Sequence, residues 1–205
     1  ELYDFLRSNG GTAFVMKDYD YLREMSRGIR EIVTYGTHDA DITGQVLQSE
    51  PYLEAGITKG PITGTIRTQL VGDYNLPNVL TAVTTGSYFN VPAEKIKAAI
   101  ENYSPSNSRS QLMESGSNKI ILDAYNANPS SMKLAIENFA RLHADNKVLL
   151  LGAMAELGDE SLAEHQAIVD LIKQHPWQAV VLVGGDFLRL EHPFLSFPNA
   201  AAARD

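Results

Sequence analysis

The sequence contains no cysteine in its 205 residues, which excludes disulfide bonds, thiolate metal sites and cysteine nucleophiles. It also lacks any apolar run approaching the ~20 residues that a membrane-spanning helix requires, and no signal peptide opens it. A chain without cysteines fits a reducing compartment. We therefore expect a cytoplasmic protein with no membrane span.

Several catalytic motifs are missing as well. No Gly-Lys dipeptide occurs, so the sequence has no Walker A phosphate loop, and the GxGxxG, HExxH and GxSxG patterns are also missing. The five histidines show no metal-ligand spacing and are predicted to be structural or exposed: His38, His143, His165, His175 and His192. The sequence therefore predicts no metal site of its own.

Positive charge is scarce, with 17 basic against 25 acidic residues and a net charge of −8. Nucleic acids and anionic membranes both reward clustered Lys and Arg, so this balance argues against either partner. It does not exclude a local phosphate pocket. Contents of 44% hydrophobic and 20% charged residues are typical of a globular protein of one or two domains.

The first part of the chain predicts a mixed sheet. Strands are predicted at 12–16 and 32–35, and the Thr-rich, β-branched stretch 41–71 predicts antiparallel strands separated by glycines. Pro77 and Pro92 each begin a predicted helix, because the first helical turn does not need the N–H that proline lacks.

A polar segment at 104–108, which includes Pro105, predicts a linker between domains at 1–104 and 105–205. Beyond it, three apolar runs alternate with helical patterns, at 120–122, 148–151 and 179–183. Strands this apolar, separated by helices, belong to a parallel sheet covered on both faces. The predicted fold class is therefore α/β, with some antiparallel strands in the first part.

The loop Asp123-Ala124-Tyr125-Asn126-Ala127-Asn128-Pro129 follows the first of these runs. Ligands of open α/β sheets bind at the carboxyl ends of strands, where an acidic residue can hold ribose hydroxyls. Asp123 fits that role, the two amides can donate and accept hydrogen bonds, and Tyr125 can stack. The alternative is an ordinary Asn-rich turn closed by proline.

Two further clusters carry similar ambiguity. Asn75 and Asn78 flank the start of the Pro77 helix, where a helix cap is favoured by spacing and a contact to adenine is the functional alternative. Arg109 lies just beyond the linker and is either a surface residue or a phosphate clamp. Glu156 and His165 lie in and after the 152–158 loop, at the carboxyl end of a predicted strand, where a ligand can bind. The alternative is that they are a helix-entry acid and a surface histidine.

Taken in this order, these segments resemble the Mur ligase family over nearly the whole chain. The 123–129 loop with Ser131-Met132, and Gly152-Ala153-Met154-Ala155-Glu156-Leu157-Gly158 with His165, resemble two signatures of the branch that adds D-Ala-D-Ala to UDP-N-acetylmuramoyl-tripeptide. Tyr74-Asn75-Leu76-Pro77-Asn78 is similar to the family's His-Asn-x-x-Asn element, with Tyr74 in place of histidine.

The resemblance implies the later part of a central ATPase domain at 1–104 and most of a Rossmann-like C-terminal domain at 105–205. It implies a monomeric ligase that uses ATP and Mg²⁺ to form an acyl phosphate, which D-Ala-D-Ala then attacks. The family's phosphate loop, metal-binding acids and modified lysine would lie upstream of Glu1. Since such contacts carry phosphoryl transfer, we expect these 205 residues alone not to ligate.

By position, the resemblance implies that Tyr74, Asn75 and Asn78 contact adenine. It implies that Asp123 binds the ribose and that Arg109 contacts ribose or phosphate. The resemblance also implies that Tyr125, Asn126 and Asn128 line the cleft near the γ-phosphate and the incoming dipeptide. It assigns no role to Glu156 or His165.

Two alternatives stay open. One is a folylpolyglutamate synthase-like ligase, which shares the architecture but usually lacks the Tyr-Asn-Ala-Asn-Pro loop. The other is a non-catalytic α/β nucleotide-binding module.

Overall fold

The computed structural model describes residues 1–106 and 108–204, and the chain divides into two compact units, one over 1–122 and one from 123 onward. The domain boundary predicted at 104/105 remains a prediction. Within the predicted linker, Asn107 lies outside the described residues. Each unit has its own hydrophobic core.

The first unit is built on a five-stranded sheet in the order β1-β2-β3-β4-β5. Strands β1 to β3 pair in parallel, and β3 to β5 pair antiparallel, which confirms the antiparallel stretch predicted at 41–71. Its elements are α1 (Leu2–Asn9), β1 (Thr12–Met16), α2 (Asp20–Met25), β2 (Glu31–Gly36), β3 (Ile42–Gln48), β4 (Glu54–Lys59), β5 (Gly64–Arg67), α3 (Leu76–Tyr88), α4 (Ala93–Asn102), β6 (Gln111–Ser115) and β7 (Asn118–Leu122).

Helix α3 is central to this unit. Pro77 lies in its first turn, as the sequence predicts. Its residues Val79, Leu80 and Val83 are buried in the main core together with Leu53, which precedes β4, and Ile66 of β5. The start of α3 is therefore held rigidly, and with it the amides of the Asn75–Asn78 segment.

The apolar run at 120–122 is placed differently from its prediction. It belongs to β7, which pairs antiparallel with β6 in a separate two-stranded sheet and not with the parallel strands. A two-residue loop at Gly116 and Ser117 joins the two strands, and Gly116 has φ 60°. This local pairing satisfies the backbone of β7 while leaving Ile120 41% exposed, so an apolar run was a misleading sign of a buried strand.

The second unit contains a parallel sheet in the order β10-β9-β8, packed with helices α5 and α6. Its elements are α5 (Pro129–Arg141), β8 (Val148–Gly152), α6 (Ser161–Ile172), β9 (Ala179–Val183), β10 (Leu195–Phe197) and α7 (Ala200–Arg204). The predicted alternation of helices and apolar strands is confirmed from residue 129 onward. Among the helices of the described ranges, none is long and apolar enough to cross a membrane.

Candidate functional site

The side chain of Asn75 does not cap α3, although the residue occupies the position before the helix. Its Nδ2 donates to the Val71 carbonyl at 2.9 Å, and its Oδ1 accepts a hydrogen bond from Asn78 Nδ2 at 2.9 Å. The cap interpretation is therefore wrong for Asn75. A buried amide links the loop before the helix to the first helical turn.

Asn78 is exposed, and this bond engages one of its two amide hydrogens. Its Oδ1 and second Nδ2 hydrogen still form a donor and acceptor side by side, which is the pattern that pairs with the edge of adenine. Asn75, in contrast, is 6% exposed and already bonded at both ends of its amide. The pair thus divides into a holding residue and a residue able to contact a ligand.

Tyr74 lies in the short 3₁₀ turn Asp73–Asn75 that leads into α3. Its hydroxyl lies 2.8 Å from the hydroxyl of the buried Ser110, in hydrogen-bonding contact. Ser110 follows Arg109 directly, and the Arg109 side chain is exposed. The structure therefore places Arg109 next to a residue that contacts the turn carrying Tyr74 and Asn75.

The 123–129 loop of the second unit is exposed at Asp123, Tyr125, Asn126 and Asn128. Asn126 Oδ1 accepts the Ala127 N–H at 2.9 Å. These side chains therefore lie on the surface of one loop, and the Asn-rich turn of the alternative interpretation is present too.

Asn128 caps α5 in a reciprocal arrangement. Its Oδ1 accepts the Ser131 N–H at 2.9 Å, and its own N–H donates to Ser131 Oγ at 3.4 Å. These bonds use the carbonyl oxygen of the Asn128 side chain and leave its NH₂ group as a donor. Such a donor suits an oxyanion, so a structural and a binding role are compatible in this residue.

The 152–158 loop begins where β8 ends. Met154 is buried, whereas Glu156 is exposed and has φ 63°, a left-handed conformation that is uncommon for residues other than glycine. The loop then turns into α6 through Gly158, at φ 54°. A carboxylate is thereby displayed at the carboxyl end of a parallel strand, the edge at which open α/β sheets bind ligands.

His165 is fully buried, so its interpretation as a surface histidine is wrong. Nε2 accepts the Met154 N–H at 3.0 Å, and Nδ1 donates to the Ser161 carbonyl at 2.6 Å. A sequence signal for burial did exist, because His165 shares the helical spacing of the buried residues Ile168, Val169 and Ile172 on α6.

Asp186 is a charged group near this loop that the sequence did not single out. It lies in the 3₁₀ turn Gly185–Arg189, and its carboxylate accepts a hydrogen bond from Arg189 at 2.7 Å. A hydrogen bond from the Ser161 side chain, followed by that of Arg189, lowers the pKa of Asp186. Ser161 therefore connects Asp186 with the His165 contact at the start of α6.

No group of three or more His, Asp or Glu side chains able to hold a metal ion occurs within 1–106 and 108–204. The polar groups found instead are amides, hydroxyls, a phenol and isolated carboxylates, and the amides fit a nucleotide base and phosphate oxygens.

The chain is similar to known proteins in sequence and in structure. Residues 108–194 match the family described as Mur ligase, glutamate ligase domain. Over 124 residues the chain is 35% identical to the UDP-N-acetylmuramoyl-tripeptide–D-alanyl-D-alanine ligase of Treponema pallidum, an alignment that covers 60% of this chain and 27% of that protein.

Two solved structures are similar over most of the chain. MurF from Acinetobacter baumannii superposes with a TM-score of 0.74 at 25% identity, covering 87% of this chain and 40% of that one. The MurF ligase of Thermotoga maritima, solved in complex with ADP, gives a TM-score of 0.74 at 18% identity, covering 92% and 44%. The chain thus spans less than half the length of these relatives, and its similarity to Mur ligases extends over residues 108–194 in the family match and over most of the chain in the two structures.

Proposed function

We propose that the complete protein containing this chain is an ATP-dependent ligase of peptidoglycan precursor synthesis in the cytoplasm. It joins UDP-N-acetylmuramoyl-tripeptide to D-Ala-D-Ala through an acyl phosphate. The observation that carries the proposal is the pair of signature loops, 123–129 and 152–158, in one parallel-sheet unit of a chain 35% identical to a ligase of that name.

The proposed nucleotide contacts are supported by the side-chain amides of the first unit and by the exposed polar residues of the 123–129 loop. The exposed amide of Asn78 contacts the adenine edge, Asn75 holds Asn78 in place, and the ring of Tyr74 packs on the base. Arg109 contacts phosphate or ribose, and Asp123 holds the ribose hydroxyls. The ADP complex of the Thermotoga maritima neighbour supports a nucleotide as the ligand.

The γ-phosphate and the acyl phosphate accept hydrogen bonds from donors of the 123–129 loop. The NH₂ groups of Asn126 and Asn128, and the hydroxyl of Tyr125, are suited to oxygens of the γ-phosphate and of the acyl phosphate. Mg²⁺, when bound, neutralises phosphate charge during transfer. Its ligands are expected upstream of this sequence.

A ligation assay on the complete protein tests the proposal. With UDP-N-acetylmuramoyl-tripeptide, ATP, Mg²⁺ and D-Ala-D-Ala, we expect the UDP-linked pentapeptide with one ADP and one phosphate released per product, measured by mass spectrometry and phosphate release. Glutamate addition to a folate would instead identify the folylpolyglutamate synthase-like alternative. A protein that binds nucleotide and gives neither product would be the non-catalytic module.

A further inference from the structure

His165 is a fully buried polar side chain of the second unit, and each of its ring nitrogens makes a hydrogen bond. It lies on the apolar face of α6, and its ring makes an edge-on contact with Phe187 at a centroid distance of 4.7 Å. Burying a polar group without hydrogen bonds is costly. Both of its ring nitrogens are bonded, which fixes the neutral tautomer with hydrogen on Nδ1.

The two bonds of the ring have different consequences. The bond from Nδ1 goes to Ser161, one turn earlier on the same helix, and constrains only α6. The bond at Nε2 comes from the Met154 backbone, eleven positions away, and ties the 152–158 loop to the helix. The Nε2 bond is therefore the one through which the ring can control the loop.

The loop needs such an anchor, because it contains a residue in an unfavourable conformation. Glu156 has φ 63° and is exposed, so its own side chain makes little contribution to holding that conformation. Strained backbone of this kind persists only where the surroundings fix it. On either side of Glu156, Met154 is held by His165 and by its buried side chain, and Leu157 packs against the core.

The 152–158 loop also lies at the carboxyl end of the parallel strands, where open α/β sheets bind their ligands. It leaves the carboxyl end of β8, and Ala153 packs against the same core as Ala127 of the 123–129 loop. We propose that His165 is a positioning residue for the ligation: through its bond to the Met154 N–H, it holds the 152–158 loop in the conformation that the incoming amino substrate meets. This role rests on the proposed ligase function.

Two substitutions separate the two bonds. In His165→Gln, the longer side chain brings an amide oxygen toward the position of Nε2, where it accepts the Met154 N–H. In His165→Asn, the shorter side chain reaches only the position of Nδ1 and keeps the bond to Ser161. A residue that merely fills the core would lose stability in the order of lost volume, more in Asn than in Gln, without slowing turnover of the folded enzyme. The kinetics of the folded variants therefore isolate the positioning contact.

Steady-state kinetics of the complete ligase provide the first readout. We expect His165→Asn to lower kcat/KM for D-Ala-D-Ala by about 10- to 100-fold, the loss typical of a misplaced site, while the KM for ATP changes less than about twofold. The Gln variant should recover most of the wild-type value. Equal kinetics of the two variants, or a wild-type-like Asn variant, would overturn the positioning role.

Hydrogen exchange of the Met154 amide in the complete protein provides a readout that does not depend on activity. Loss of the Nε2 bond should accelerate exchange of that amide by about fivefold or more in the Asn variant and not in the Gln variant. An inactive wild type that still shows this contrast would refute the ligase function while leaving the anchor intact. An active wild type without the contrast would refute the anchor alone.

Discussion

At the scale of single residues, Asn75 and Asn78 have different roles: Asn75 holds the side chain of Asn78 in place, and Asn78 is the one proposed to contact the nucleotide. In the complete protein, Asn78→Leu removes the donor and acceptor that we propose contact adenine, but it keeps the bond from Asn75 to the Val71 carbonyl. We expect the KM for ATP to rise about 10- to 100-fold, because one bidentate base contact is worth about 1–3 kcal/mol. The measurement is kcat and KM with ATP varied.

Asn102→Leu is the matched control for this prediction. Asn102 is exposed at the end of α4, and its Nδ2 donates to the Ala98 carbonyl within that helix. Its KM for ATP should stay at the wild-type value. An Asn78→Leu variant that melts normally and binds ATP normally would remove Asn78 from the nucleotide site.

Asp41 provides a pH-dependent prediction. Its carboxylate accepts the Thr34 hydroxyl at 2.7 Å and the Thr34 N–H at 2.8 Å. The Thr34 side-chain bond, first among several causes, lowers the pKa of Asp41 from 3.8. A carboxylate with a lowered folded pKa stabilises the protein above the unfolded pKa, and this stabilisation is lost as the pH falls through the folded pKa.

Asp41→Asn should therefore cost about 1 kcal/mol of unfolding free energy at neutral pH, a modest value because the group is exposed. The difference from wild type should shrink once the pH falls below 3.8. Urea unfolding at both pH values measures it, with the exposed neighbour Asp39→Asn as the control. A pH-independent difference would show that charge is not the cause.

Among the secondary-structure elements, α5 depends on the reciprocal cap between Asn128 and Ser131. Asn128→Ala should cost about 1 kcal/mol of unfolding free energy. Asn128→Asp keeps an acceptor for the Ser131 N–H, so we expect its stability to be close to wild type, whereas its turnover falls because the NH₂ donor is gone. Denaturant unfolding and ligation rates of the two variants together separate capping from binding; a fully active Asp variant would leave capping as the only role.

The turn after β9 supports the 152–158 loop through close backbone packing. Gly185 has φ 52°, and a Cβ there would overlap the Cβ of Ala153. We expect Gly185→Ala to destabilise the second unit by about 2 kcal/mol or more, through strain and overpacking. Gly152→Ala is the control, since nothing lies within 4 Å of its added Cβ. Thermal melting measures both, and equal melting temperatures would contradict this account.

The elements themselves were largely predictable, and the exceptions have physical causes. Pro77 and the apolar strands at 148–151 and 179–183 gave correct elements, because propensity and burial agree there. The 120–122 run was assigned to the wrong sheet, since its pairing is decided by a tight turn and not by its apolar content. Strand β10 has three residues, too few for a periodic pattern.

The candidate site residues were selected from the sequence, but their contacts could not be predicted from it. The types and order of polar residues in the two loops carry the resemblance to the Mur ligases. A side-chain amide at position 75, in contrast, fits a helix cap and a bond to a carbonyl equally well on spacing alone. The structure resolves that choice through Val71, a residue four positions earlier. The partner of His165 likewise depends on a loop conformation that no local pattern specifies.

For the whole molecule, the division into two cores has a consequence for unfolding. The core of the first unit includes Leu80, that of the second includes Ile136, and the two cores share no residue. The chain has a single tryptophan, Trp177, which stacks on Phe139 of the second unit at 5.8 Å. Tryptophan fluorescence therefore reports on the second unit, while circular dichroism reports on both.

Large-to-small substitutions in each core test whether the units unfold separately. Leu80→Ala and Ile136→Ala each remove part of a fully buried side chain and should each cost about 2–5 kcal/mol in the unit concerned. We expect Ile136→Ala to lower the denaturant midpoint of Trp177 fluorescence, and Leu80→Ala to lower only the midpoint of the remaining circular dichroism signal. If Leu80→Ala shifts the fluorescence midpoint equally, the two cores unfold as one cooperative structure, and a loss of stability in either would be felt at every site residue of the chain.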